Sequence, residues 1–272
     1  MSTHAQKADA FRALHERAGA FIIPNPWDAG TAKLLASLGF EALATTSLGL
    51  SNMLGRVDGT MTVSRAEVLD NCRAIVEATE LPVSADLENC YAHEPRAAAE
   101  MIRLAADAGV VGGSIEDATG DVAKPIYDFG LAVERVHAAV ETAHALPFRF
   151  VLTARAENMI QGRLDLDDTI KRLQAFERAG ADVLFAPGLP DLASIKKVCE
   201  ALSKPVNFMA GIKGKSFSVP ELEKAGVRRI SLATSLFRAA LTGVLEAARE
   251  VKEQGSFGYL ERLQDINKYM RG

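Results

Sequence analysis

Leu81-Pro82-Val83-Ser84-Ala85-Asp86-Leu87-Glu88-Asn89 is the stretch on which the reading of this chain turns. It opens as a short buried strand and closes on two carboxylates. Side chains two apart on a strand point the same way, so extended backbone as far as Leu87 brings Asp86 and Glu88 to one side. The pattern recurs downstream. Val110-Val-Gly-Gly-Ser-Ile115 runs into Glu116-Asp117, and Phe148-Arg-Phe-Val-Leu-Thr-Ala154 runs into Arg155-Ala-Glu157. Acidic groups at neighbouring strand ends form an oxygen-rich socket for a hard cation such as Mg²⁺. An arginine beside them can hold the carboxylate of a small acid bidentately.

Outward from that segment, short β-rich runs alternate with helical stretches. Strands are predicted at 21–24, 42–46, 83–87, 112–116, 150–154, 183–186, 206–209 and 229–233. Eight βα units in order indicate an α/β fold of the (β/α)₈ TIM barrel type. Helix ends repeat as Leu-Gly39-Phe, Ala-Gly109-Val, Ala-Gly180-Ala and Ala-Gly226-Val, each just before a strand. Ser64-x-x-Glu67 and Ser218-x-x-Glu221 match the capping box at helix starts. The rival architecture, an open doubly wound sheet, lacks its Gly-x-Gly-x-x-Gly after the first strand. Barrel active sites lie at the C-terminal strand ends. That rule gathers Asn25, Thr46, Ser47, Asp86, Glu88, Glu116, Arg155, Pro187 and Asn207 around one mouth. The segment 47–63, long and glycine-rich, carries Asp58 and is expected to fold over that mouth.

Length and composition agree with one barrel domain over residues 1–272, with an N-terminal helix in 1–19 and further helices in 241–272. Leu241, Val244, Leu245, Ala248 and Val251 form an apolar face at helical spacing, followed by Phe257, Leu260, Leu263 and Met270. Such a face must be buried on its own barrel or on a partner's, so a homodimer or homotetramer is expected. A net charge of −4 argues against nucleic-acid and anionic-membrane partners. No apolar run approaches the ~18 residues of a membrane span, and the polar start has no signal-peptide core. Cys72, Cys90 and Cys199 are scattered and odd in number, which suits reduced thiols in a cytoplasmic protein.

Five motifs in order resemble the isocitrate lyase / phosphoenolpyruvate mutase superfamily, and within it a carboxyvinyl-carboxyphosphonate phosphorylmutase-like member. They are Thr45-Thr46-Ser47-Leu48-Gly49, Gly55-Arg-Val-Asp58-Gly, Asp86-Leu-Glu88-Asn-Cys90-Tyr91, Ile115-Glu116-Asp117 and Thr153-Ala-Arg155. The resemblance implies Mg²⁺, with Mn²⁺ as the alternative, and a small 2-oxo acid substrate. It implies a lyase that breaks or forms a C–C bond next to the carbonyl through a metal-stabilised enolate. A P–C mutase or hydrolase on phosphoenolpyruvate- or phosphonopyruvate-type substrates is the first alternative, and a catalytically weak 2-oxo acid binder the second. Carried over by residue, Asp86 is the direct metal ligand, Glu88 and Glu116 hold metal-bound waters, and Asp58 joins that shell or acts on substrate. Arg155 binds a substrate carboxylate, and the backbone of Thr46, Ser47 and Leu48 takes oxyanions. Asn207 is a further substrate contact. A last helix exchanged between subunits is also typical of the superfamily.

The chain departs from its relatives after strand four. The C–C lyases carry a Lys-Lys/Arg-Cys-Gly-His loop there, whereas this chain reads Ala118-Thr-Gly-Asp-Val-Ala-Lys124-Pro-Ile-Tyr127-Asp128-Phe. With no cysteine or histidine in it, cleavage of isocitrate or methylisocitrate by that mechanism is not expected. Lys124 is taken as the catalytic candidate, with Tyr127 beside it. Glu88 stands where the pattern has Asp, and Cys90 where it has Gly. Simpler readings apply elsewhere: Cys90 as an inert small residue, His93 as the approach to a helix, and His15, His137 and His144 as surface or packing groups. Trp27 is read as structural, with Asp28 as N-cap of the next helix. Gly211-Ile-Lys213-Gly-Lys215-Ser216 is read as a solvated loop, with phosphate binding as the rival reading.

Overall fold

Strands β1 (Phe21–Ile23), β2 (Leu43–Ala44), β3 (Val83–Ala85), β4 (Gly112–Glu116), β5 (Val151–Arg155), β6 (Val183–Phe185), β7 (Val206–Met209) and β8 (Arg229–Ser231) form one parallel sheet in this computed structural model. Residues 2–59 and 61–270 are described; the outermost residues of the expected domain, Met1, Arg271 and Gly272, lie outside them. The strand order β1-β8-β7-β6-β5-β4-β3-β2 follows the chain around a ring. Between β1 and β2 the ladder shrinks to a single bond, Ala44 N–H donating to the Pro24 carbonyl at 3.0 Å. The sheet is a nearly closed (β/α)₈ barrel.

Around it lie α1 (His4–Glu16), α2 (Ala29–Ser37), α3 (Ser47–Met53), α4 (Arg65–Glu77), α5 (Pro95–Asp107), α6 (Phe129–His144), α7 (Leu166–Arg178), α8 (Leu192–Glu200), α9 (Val219–Lys224), α10 (Ser235–Gln254) and α11 (Asn267–Met270). The expected capping boxes open α4 and α9, and Asp28 caps α2 by accepting from the Thr31 N–H. Gly109 and Gly180 end α5 and α7 with φ of 97° and 104°. A Cβ at either would strike a valine of the preceding helix, Val76 at 2.9 Å or Val140 at 2.8 Å. Each glycine therefore serves both the turn and close packing.

Strand alternation divides the core. Leu43, Ile115, Leu152, Leu184, Phe208 and Ile230 face the helices. The inward set is apolar only at the N-terminal end, where Phe11 and Leu14 of α1 pack with Phe21, Val111, Val151 and Val183. Helix α1 thus plugs the bottom of the barrel, a role its sequence does not announce. Gly112 makes room for the plug, since a Cβ there would lie 2.7 Å from the Phe11 ring. Above it the interior turns polar, with Ser84, Ser114, Thr153, Asn207, Arg229 and Ser231 all buried. Two expectations need correction. The strand predicted over 83–87 stops at Ala85, and the segment 47–63 is a loop only in its second half, because Thr46 accepts from the Gly49 N–H and nucleates α3.

Candidate active site

The two carboxylates of the β3 segment meet by a different route from simple alternation. After Ala85 the chain leaves the sheet, and Glu88, Cys90 and Tyr91 take positive φ of 48°, 59° and 52°. Non-glycine residues seldom adopt this conformation, and three so close together need outside support. Arg135 of α6 supplies it. Buried beneath the turn, it donates to the carbonyls of Asn89, Ala92 and His93. Tyr91 in turn donates its hydroxyl to Glu88 Oε1 at 2.8 Å. Cys90 is fully buried, and burial pushes its thiol up to about 12, so it is a neutral packing group.

Arg155, at the end of β5, is the hub. Its Nη1 lies 2.9 Å from Asp86 Oδ1, while Nη2 reaches Glu116 Oε2 at 3.0 Å and Glu157 Oε1 at 2.9 Å. The guanidinium also stacks over Phe185 at 5.1 Å. Glu157 is held from behind, its N–H donating to Asp117, which pairs with Arg172. One arginine does not balance so many acids. Burial, with the charges of Asp58 and Asp86, raises Glu88 to about 7. Burial also lifts Asp58, and holds Glu116 well above the carboxylate range against the pull of Arg155. A site short of positive charge and rich in carboxylate oxygen suits a divalent cation. Among the described residues, no three Asp, Glu, His or Cys side chains gather closely enough to enclose an ion by themselves. That donor set fits Mg²⁺, which keeps several waters and takes one or two carboxylates directly.

A cavity of about 280 Å³ opens above this cluster at the C-terminal strand ends. Thr46, Ser47, Leu48, Asp58, Asp86, Arg155 and Asn207 all line it, so most of the predicted site residues come together. Glu88 and Glu116 are not part of that lining; Glu116 is joined to it through Arg155, and Glu88 accepts from the Tyr91 hydroxyl. The Ser47 N–H donates to Asp86 Oδ2 at 3.1 Å, and Ser51 donates its hydroxyl to Asp58. Asn25 also reaches the mouth, bridging strands by donating to the Thr45 carbonyl and accepting from the Leu232 N–H.

Lys124 is not brought to the cluster. It sits on an exposed hairpin, where Ala118 bridges Ile126, and pairs with Asp128 at 2.7 Å. Tyr127 is buried instead, its hydroxyl 2.7 Å from His93 Nδ1. Lys213 is exposed, and Lys215 donates to the Gly188 carbonyl. Ser114, Ser231, Arg229 and Arg238 also line the cavity and were not singled out from sequence. Period-two alternation along β8 was the available signal for Arg229.

The phosphoenolpyruvate phosphomutase family profile matches residues 11–252 of the chain. The chain belongs to this family. It is an enzyme of the isocitrate lyase / phosphoenolpyruvate mutase superfamily. A crystal structure of a Burkholderia cenocepacia J2315 protein provisionally named a lyase/mutase superposes with a TM-score of 0.96 at 52% identity, over 99% of this chain and 97% of that one. The 2-methylisocitrate lyase of Escherichia coli K12 is 28% identical over 94% of this chain and 88% of its own length. An oxaloacetate decarboxylase of Ectopseudomonas mendocina is 24% identical over 92% and 86%.

Proposed function

We propose that this phosphomutase-family enzyme is a carbon–carbon lyase that acts on a small 2-oxo carboxylic acid at the bond next to the carbonyl. The observation that carries the reading is the buried carboxylate cluster of Asp58, Asp86, Glu88 and Glu116 around Arg155, beneath a cavity of about 280 Å³. Its lyase and decarboxylase relatives support the reaction class. Asp86 would hold Mg²⁺ or Mn²⁺ directly, with Glu88 and Glu116 holding its waters. Bound there, the metal supplies Lewis-acid stabilisation of negative charge on the substrate oxygen.

The chain's own residues do the rest. Arg155 meets the substrate carboxylate and orients it, while keeping Asp86, Glu116 and Glu157 in place. N–H groups of the Thr46-Ser47-Leu48 turn donate to the anionic end, and Asn207 gives an amide contact deeper in the cavity. Asp58, pushed up by burial, lines the mouth as the acid that would serve the carbon left by cleavage. Lys124 has no contact with this constellation while its hairpin is docked. The hairpin lacks the cysteine of the isocitrate-type lyases, which favours substrates whose departing fragment needs no thiol acid. Oxaloacetate is the simplest of them.

The test is turnover. Oxaloacetate, 2-oxoglutarate, pyruvate and phosphonopyruvate are each incubated with enzyme and Mg²⁺, and products are followed by carbon and phosphorus NMR. The expected result is Mg²⁺-dependent C–C cleavage of a 2-oxo acid. Phosphate from phosphonopyruvate alone would move the assignment to P–C chemistry, and binding of these acids without any product would make the protein a binder.

A further inference from the structure

The buried cation Arg229 lies outside the proposed mechanism, and among the described residues no carboxylate pairs with it. Arg229 opens β8 with its side chain inside the barrel, only 6% exposed. Its Nε donates to Asn207 Oδ1 at 2.8 Å, and Asn207 donates to Ser231 Oγ at 3.1 Å, which fixes the direction of the fork. Nη1 is buried without a hydrogen-bond partner. Arg155 takes three carboxylates, whereas among the described residues no carboxylate pairs with Arg229. The influences on its guanidinium are burial and the like charge of Arg155, which lower it to about 9 and leave it charged at neutral pH. Thr153 points inward two residues below Arg155, and its hydroxyl is also buried without a partner.

A buried charge with no partner is costly, and folded chains keep such groups where something pairs with them. Arg229, Asn207 and Ser231 line the same cavity as Asp86 and Arg155. We propose that Arg229 anchors a second anion site on the floor of the mouth cavity, and that this site takes a carboxylate. The carboxylate has two possible sources: the far end of a dicarboxylic 2-oxo acid whose oxo end lies at Asp86, or a separate small acid. The first source rests on the reading of the mouth as a 2-oxo acid site, and the second does not.

Calorimetric titration of the full chain with Mg²⁺ separates them, using pyruvate, 2-oxoglutarate, oxaloacetate and acetate against wild type, Arg229→Met and Arg229→Lys. With a linked carboxylate, the diacids bind wild type more tightly than pyruvate. Arg229→Met then weakens at least one diacid about 10- to 100-fold, the range of a lost charge-assisted hydrogen bond. Pyruvate stays within about twofold, and Arg229→Lys recovers part of the loss. With a separate acid, acetate binding disappears in Arg229→Met while all three 2-oxo acids are unchanged. Unliganded Arg229→Met should melt no lower than wild type, because an unpaired buried charge has been removed; a purely structural arginine would lower the melting temperature. Pyruvate that fails to bind wild type would defeat the 2-oxo acid reading, yet acetate lost in Arg229→Met would still support the floor site. Diacid and acetate binding both indifferent to Arg229→Met would overturn the inference, whatever pyruvate does.

Discussion

Arg155 holds three carboxylates at the centre of the cluster, and any substrate carboxylate has to share its fork with them. Chemistry at this site therefore depends on acids that are buried and mutually repelling, with Asp58, Glu88 and Glu116 all raised by burial. Asp58 is the one contributed by the loop after α3. In the turnover assay, Asp58→Asn should lower kcat by about 100-fold, the lower end of what a positioned acid or base contributes. Lys124→Ala should stay within about twofold, since an exposed pair with Asp128 contributes little. Equal losses in both variants would return Lys124 to the site. Most of the cluster was legible as residues: acids and an arginine at successive strand ends have few other uses. Arg229 was not. Arg228-Arg229 reads as a solvated pair, and only the period of the strand sends the first outward and the second into the barrel.

Helix α1 is more than an appendage, because it seals the barrel from below and places His15 beneath Arg229. His15 is buried edge-on to Phe11 and Phe21, with Nδ1–H donating to the Phe11 carbonyl at 2.8 Å. Burial, then the charge of Arg229, lowers it from 6.5 to about 3. Between those values the unfolded chain takes up a proton that the folded chain refuses. This contribution therefore falls away as the pH drops below 6.5, by up to about 1.4 kcal/mol per unit. Urea unfolding at pH 7.5 and 5.0 should show wild type losing more stability than His15→Gln, by roughly 1–2 kcal/mol. Equal losses would mean that His15 titrates normally. At this scale six strands began where the sequence placed them and β2 and β5 one residue later, while several ended early. Leu87 and Ala186 stay buried after the ladder stops, so hydrophobic pattern alone overruns the strand. Helix α3 was hidden by its glycine, Gly49, and the glycines that follow at 55 and 59. Gly49 is there for space, since a Cβ would lie 2.6 Å from Thr46 Cγ2 and 3.0 Å from Trp27 Cβ.

For the molecule as a whole, the C-terminal region carries the unfinished surface. Helix α10 is anchored by Phe237 against Trp27 at 5.2 Å, then runs outward with Leu241, Val244 and Leu245 exposed. Together with Leu263 and Ile266 they leave an apolar face beside a groove of about 990 Å³. Helix α11 returns to pack on α2 of its own barrel. We propose that a second copy covers the α10 face, as exchange of a last helix in this superfamily implies. Light scattering at micromolar concentration should give two or four times 29.1 kDa, and Val244→Asp should shift the distribution toward the single chain. A 29.1 kDa particle for wild type would contradict a dimer or tetramer. Among the described residues no helix is long and apolar enough to cross a membrane.

In the proposed reaction a cation and a 2-oxo acid meet at Asp86. Calorimetric titration of oxalate, whose two carboxylates mimic the charge distribution of a cleaved 2-oxo acid, tests it with Mg²⁺ and with EDTA, on wild type and Asp86→Ala. Binding should require Mg²⁺ and disappear in Asp86→Ala while the variant remains folded by circular dichroism. Oxalate binding of equal strength in EDTA and in Asp86→Ala would contradict it.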